Sequence, residues 1–209
     1  MDGKEKEFSD ISLIISCRDG DANRVRYLLQ HGVEVNKETE DGDSPLLMAC
    51  RVERIDIVYY LIKFGADVNR VSKTGLTPLI TACQIDRVDI TTLLLKNGAN
   101  VNDEDTHGNT PLIVTCQGGK VDIATELIKY GANVNHSNHF GDTPLMMACR
   151  VGRVDLVHHL ILHGALVNVK NKNNDTPFTE AARHTDKKEN ILRYLRAHST
   201  EAEDVNKPS

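Results

Sequence analysis

Cysteine is the residue type in this sequence with the most obvious capacity for chemistry, because thiolates bind zinc, form disulfides and react with oxidants. The chain has five, and one constant interval separates each from the next: Cys17, Cys50, Cys83, Cys116 and Cys149. No two form the C-x-x-C pair that is typical of zinc and redox sites. A constant spacing places all five at equivalent positions in successive structural units. We therefore expect buried thiols that fill a core, with a metal or thiol sensor as the open alternative.

Histidines form a second candidate site. His159 and His163 are four residues apart, with His158 beside them, and two histidines at that spacing on a helix can chelate a metal. The sequence offers no third ligand and lacks the glutamate of the H-E-x-x-H motif. We expect these histidines to lie on a solvated helix face, and we predict no metal site and no cofactor.

Carboxylates also recur with the same interval as the cysteines, at Asp56, Asp89, Asp122 and Asp155. A carboxylate near the start of a helix complements the helix dipole, so a structural role is expected. The sequence contains no glycine-rich phosphate-binding loop and no recognisable set of nucleophile, base and orienting residue. It therefore predicts no catalytic residues and a protein that is not an enzyme.

Composition limits the remaining classes of function. A formal net charge of −5 disfavours sequence-independent binding to nucleic acid, which depends on lysine and arginine. No stretch approaches the roughly 18 apolar residues that span a bilayer, and the N-terminal sequence MDGKEKEFSD has no apolar segment of a signal peptide. We expect a monomeric protein that does not insert into membranes and that lies in the cytoplasm, with the nucleus as the alternative.

The elements that position these residues follow the same period. Threonine precedes proline where a first helix would begin, a second apolar-faced helix follows, and glycine ends it before a polar loop. One such unit cannot bury both of its apolar faces, so neighbouring units must stack. Three residue types mark the period: Pro45, Pro78, Pro111, Pro144 and Pro177; Gly65, Gly98, Gly131 and Gly164; Asn36, Asn69, Asn102, Asn135 and Asn168.

A unit with T-P-L early and G-A-x-V-N late, as in GLTPLITACQIDRVDITTLLLKNGANVN from Gly75, resembles the ankyrin repeat. The resemblance implies an all-α solenoid of about six stacked helix-turn-helix units joined by β-hairpin-like loops. We predict a polar segment at 1–8, a repeat domain at 9–198 and a disordered polar tail at 199–209. The predicted units are 9–38, 39–71, 72–104, 105–137, 138–170 and 171–198.

Two units depart from the family pattern in the turn between their helices. Glu53 and Asp86 replace the glycine that the family normally has between the paired helices, which is still present at Gly20, Gly119 and Gly152. A residue with a side chain in the left-handed conformation costs about 1–2 kcal/mol. We expect this turn to be either reshaped or strained in those two units.

The resemblance also implies a binding surface, since ankyrin repeats bind partners on a concave side built from loop tips and first-helix ends. By position, and because exposed apolar residues flanked by arginine are typical of binding hot spots, we predict contacts from seven residues. They are Arg51, Val52, Leu76, Ile85, Phe140, Arg150 and Val151.

The implied function is a non-catalytic adaptor or scaffold that binds another protein or peptide. Two alternatives stay open: inhibition of an enzyme such as a protein kinase by steric occlusion, and, less favoured, a metal or thiol sensor. The family also includes repeats hydroxylated at asparagine, and Asn36 and Asn69 fit that motif. A structural role for these asparagines in tying loops together is the favoured interpretation.

Overall fold

The computed structural model describes residues 3–183 and 188–199, and in these ranges the chain is helical without any strand. The predicted all-α class is therefore confirmed. The predicted polar segment 1–8 overlaps the first helix, whereas residues 200–209 of the predicted tail lie outside the described ranges. The helices are α1 Gly3–Asp19, α2 Ala22–Gln30, α3 Pro45–Arg51, α4 Ile55–Lys63, α5 Pro78–Gln84, α6 Val88–Lys96, α7 Pro111–Gln117, α8 Val121–Lys129, α9 Pro144–Arg150, α10 Val154–Leu162, α11 Pro177–Ala182 and α12 Lys188–Ser199.

The chain forms two compact units, Met1–Thr106 and His107–Ser209. In the first, the odd-numbered helices α1, α3 and α5 pack in sequence, and α2, α4 and α6 form a parallel row beside them. The second unit repeats this arrangement with α7, α9 and α11 in one row and α8, α10 and α12 in the other. Each unit is thus a stack of helix pairs, as the periodicity predicts.

Threonine and proline start the short first helices as predicted. The Thr77 hydroxyl accepts a hydrogen bond from the backbone N–H of Ile80 at 3.1 Å, and Pro78 follows as the first helical residue. Proline is favoured there because that backbone N–H would have no helical partner. Ser44 performs the same capping role for α3, where it accepts from Leu47 at 3.2 Å.

The core of each stack lies between the two rows of helices. Leucine and isoleucine side chains of the first helices, such as Leu79 and Ile113, are fully buried. All five cysteines lie in this core with no exposed surface, so the predicted burial of the thiols is confirmed. Each cysteine lies on the first helix of its repeat.

The periodic asparagines link neighbouring repeats through side-chain hydrogen bonds. The Asn69 amide donates to the carbonyl of Gly98 at 3.0 Å, and its side-chain oxygen accepts from the backbone N–H of Asn100 at 2.8 Å. Asn135 makes the equivalent pair of bonds, including one to Gly164 at 2.9 Å. Each such side chain therefore ties the loop of one repeat to the end of the second helix in the next, which confirms the predicted structural role.

The connecting loops are built from tight turns. In the third repeat, the Ser72 backbone N–H donates to the Leu76 carbonyl at 3.0 Å, and Gly75 N–H donates to the Ser72 carbonyl at 2.9 Å. A further backbone bond, from Lys73 to Asp41 at 3.1 Å, joins this loop to its neighbour. One bond between neighbouring loops is too few for a strand ladder, which accounts for the lack of strands in the described ranges.

The turn between paired helices keeps one conformation whether or not it contains glycine. Glu53 and Asp86 have φ of 60° and 64°, close to the 69° of Gly119 and Gly152. The turn is therefore not reshaped, and both residues adopt the left-handed conformation that a side chain makes costly. We infer that the stacking of the helix pairs imposes the left-handed turn. Glu53 and Asp86 then adopt it at a cost in conformational free energy.

Replacing Glu53 with glycine is expected to raise the free energy of unfolding by about 0.5–1 kcal/mol, because relief of left-handed strain exceeds the added flexibility of the unfolded chain. Chemical denaturation followed by circular dichroism measures this change. Gly119→Ala is the converse control. It should lower stability by about 1 kcal/mol, since its new Cβ would lie only 3.1 Å from Cγ of Arg153. Equal stability of Glu53→Gly and wild type would contradict the assignment of strain.

Candidate partner-binding surface

In the first unit, the predicted binding residues lie at the ends of neighbouring first helices. Val52 and Ile85 are the C-cap residues that directly follow α3 and α5, and both are partly exposed. Leu76, also partly exposed, lies in the loop just before the Thr77 cap. Because α3 and α5 pack side by side, their equivalent ends form neighbouring apolar positions.

Arg51, the fourth predicted residue of this unit, is already paired. Its guanidinium forms two hydrogen bonds with the carboxylate of Asp43, at 2.5 and 3.1 Å. The same side chain lies 3.7 Å from the sulfur of Met48. The pair is partly exposed, with 36% of the Arg51 side chain accessible, so water screens its charge.

In the second unit, two predicted residues present large apolar surfaces. Phe140 is 54% exposed at a loop tip, and Val151, the C-cap residue after α9, is 37% exposed. The Phe140 ring stacks near His107, with 6.4 Å between ring centroids, and its backbone N–H donates to Asn138. The loop therefore holds an exposed aromatic ring in a defined position, which reduces the entropy that binding would otherwise cost.

Arg150 has a structural role that the sequence reasoning did not predict. Its guanidinium donates to both carboxylate oxygens of Glu180, at 2.8 and 3.1 Å, and to Asp142 at 3.2 Å. Glu180 has no exposed surface and also accepts from Arg183 at 2.7 Å. Burial raises the pKa of Glu180, but the two arginines more than offset this and hold its pKa below the usual value.

A sequence signal for these pairs exists. Aspartate precedes arginine by eight positions at Asp43 and Arg51, at Asp142 and Arg150, and at Asp175 and Arg183, and each pair is bonded. This spacing joins a loop tip to the end of the first helix that follows it. Glu180, which has no equivalent in the other repeats, adds a buried carboxylate that accepts hydrogen bonds from both Arg150 and Arg183.

Three of the four periodic aspartates at the second helices, Asp56, Asp89 and Asp155, are ion-pair partners as well as dipole complements. Asp56 accepts from Arg54 at 2.8 and 3.0 Å, which together with the backbone N–H of Ile57 lowers the pKa of the carboxyl. Arg54 also donates to the carbonyl of Gly20 in the preceding repeat. The structural role is as predicted, but the helix dipole alone was an incomplete explanation.

The thiols and the described histidines do not converge on a reactive centre. Burial raises the pKa of Cys17 and Cys149 to about 12, which disfavours the reactive thiolate. His159 and His163 lie 4.4 Å apart between ring centroids, and burial, followed by the neighbouring histidines, lowers the pKa of His159. Residues 3–183 and 188–199 contain no group of three or more potential metal ligands. In the same ranges, every helix is too short or too polar to cross a bilayer.

A family model of ankyrin repeats matches three successive segments of the chain, residues 2–72, 64–138 and 133–208. The chain belongs to the ankyrin-repeat family. The matches include all the periodic prolines and cysteines, so the helix pairs described above are ankyrin repeats. Members of this family are generally modules for protein–protein interaction and are typically not catalytic. No curated protein sequence matches the chain.

Proposed function

We propose that this ankyrin-repeat protein is a non-catalytic adaptor or scaffold that binds another protein or peptide on the concave side of its repeats. The observation that carries the proposal is the recurrence of a partly exposed apolar residue at the end of first helices. The residues at this place are Val52, Ile85 and Val151. A surface with no binding role would be expected to have polar residues there. Phe140 adds an exposed aromatic ring at a loop tip.

Within this proposal, the apolar side chains supply affinity and the arginines supply orientation. A partner that removes water from Val52, Ile85 and Phe140 lowers the free energy of the complex. Arg51 and Arg150 already bond to carboxylates of their own chain, so a new acceptor would add little to those bonds. Their charges still influence how an approaching partner is oriented and how fast it associates.

Photo-crosslinking in the native cell can identify the partner. A photoreactive amino acid at Val52 or Val151 is expected to crosslink a defined protein, whereas the same amino acid at Tyr59 is not. Tyr59 is 50% exposed and lies on the second helix α4, so it controls for chance contact at an exposed aromatic position. Equal crosslinking from Tyr59 would contradict the proposed surface.

The double substitution Val52→Asp and Ile85→Asp is expected to weaken binding of that purified partner by at least about tenfold, because two buried apolar contacts become charged. Isothermal titration calorimetry measures the affinity, and Tyr59→Asp is the matched control, expected to change it by less than about twofold. Unchanged affinity of the double variant would disprove the mapping. If the partner is an enzyme, its activity in the complex distinguishes a scaffold from an inhibitor.

A further inference from the structure

A groove in the second unit lies between α10 and α12, both of them second helices of their repeats. Two adjoining depressions of about 650 and 560 Å³ form it, and they share Val154, Asn190 and Tyr194. The corresponding depression between α4 and α6 in the first unit is about 270 Å³. This groove is separate from the loop tips and first-helix ends on which the proposed function depends.

The groove carries a positive charge that no described residue neutralises. Arg193 lines it and forms no ion pair with any carboxylate of the described ranges. Arg153 lies at the other end and is neutralised by two hydrogen bonds with Asp155, at 2.9 and 3.1 Å. Within the described ranges the groove therefore retains the charge of Arg193, although the chain as a whole carries a net charge of −5.

The floor of the groove combines apolar and polar contacts. Val154 and the ring of Tyr194 supply apolar surface, and His158 packs on Tyr194 with 4.8 Å between ring centroids. The Asn190 side chain, which forms no hydrogen bond with another described residue, can donate to an oxygen. One cation, one amide donor and an aromatic floor suit a ligand that has both a carboxylate and an aliphatic group.

The length of the groove favours a peptide over a single small anion. Its lining runs along α12 from Asn190 to His198, which at about 1.5 Å per residue corresponds to about 12 Å. An extended peptide rises about 3.3 Å per residue, so three or four residues fit along it. One guanidinium without a described counter-ion matches a carboxylate side chain better than a phosphate surface, which needs several cations.

We propose that this groove binds an acidic peptide segment of a partner protein, with a carboxylate on Arg193 and Asn190 and an aliphatic side chain against Val154 and Tyr194. The proposal adds a second contact surface to the proposed binding function. It holds whether or not a partner also contacts the first-helix ends. A bipartite partner would gain affinity from both surfaces through its effective concentration at the second.

A pooled library of extended nonapeptides made of aspartate, glutamate, leucine, isoleucine and valine tests the proposal on the full chain. A matched library has asparagine and glutamine in place of the acids. Sequences from the acidic library are expected to be enriched on the protein, and fluorescence polarisation of the most enriched peptide gives its affinity. Arg193→Glu is expected to weaken that affinity about tenfold or more, since it places like charges together. Lack of enrichment over the amide library would overturn the proposal.

Arg26→Glu is the matched control, because Arg26 is an exposed helical arginine of the other unit that forms no ion pair among the described residues. It should change the affinity by less than about twofold. An equal loss with Arg26→Glu would show non-specific attraction and overturn the site. Val52→Asp with Ile85→Asp should leave this peptide bound, so the proposed function and this groove can fail independently.

Discussion

Replacing Arg150 with methionine is expected to lower the free energy of unfolding of the second unit by about 2–3 kcal/mol. The substitution keeps most of the side-chain volume but removes the main partner of Glu180, which is fully buried, and one partner of Asp142. Breaking a buried ion pair usually costs about 3–5 kcal/mol. We expect less here because Arg183 still donates to Glu180 and 38% of the Arg150 side chain is exposed.

Arg51→Met is the matched control, since it changes the same residue type at the equivalent place in an earlier repeat. Among the described residues, the carboxylate that pairs with Arg51 is that of Asp43, which is partly exposed. Loss of this pair should cost less than about 1 kcal/mol. Urea denaturation of both variants, followed by circular dichroism, gives the comparison. Equal destabilisation by the two substitutions would mean that Glu180 does not depend on Arg150.

This difference affects how the binding surface can be mapped. Arg150 was predicted as a partner contact from its position and type alone, and its contacts within the chain give it a second role. A loss of binding in an Arg150 variant would therefore combine lost contacts with a destabilised repeat. Substitutions at Val151 and Phe140, which are exposed and make few polar contacts, separate the two effects.

The constant period of the sequence made the helices, their caps and the buried thiols predictable. Threonine followed by proline allows few conformations, so Thr77 and Pro78 indicate a helix start without further information. The stacking of the helix pairs then explains why Cys83 is buried and why Asn69 repeats. Each of these properties depends on local propensity and on one recurring neighbour, and both can be read from a single sequence.

The remaining features depend on side chains that differ between repeats. Glu180 is an ordinary surface residue by type, and only the contact of α11 with α9 makes it the buried partner of Arg150. The groove depends on the separation of α10 and α12, which no residue pattern reports. The sequence indicated that a glutamate at position 53 is unfavourable in this turn, but not whether the turn would change its conformation. The structure shows that the turn stays left-handed, which we attribute to the stacking of the repeats.

The five thiols are expected to react with a thiol reagent at pH 8 at least about 10³-fold more slowly in the folded protein than in the unfolded chain. None of them has exposed surface, and a pKa of about 12 for Cys17 and Cys149 leaves very little thiolate at that pH. The thiols can therefore react only when the fold opens. Labelling followed by peptide mass spectrometry gives the rate at each cysteine.

Gln117→Cys supplies the control for this measurement, because Gln117 is exposed and directly follows Cys116. The introduced thiol should react at the rate of an unstructured peptide, while Cys116 stays protected. Since stacked repeats open locally, Cys17, Cys50 and Cys83 are expected to become reactive as one group, and Cys116 and Cys149 as another. A native cysteine that reacted as fast as the introduced one would contradict the burial of the thiols and support the thiol-sensor alternative.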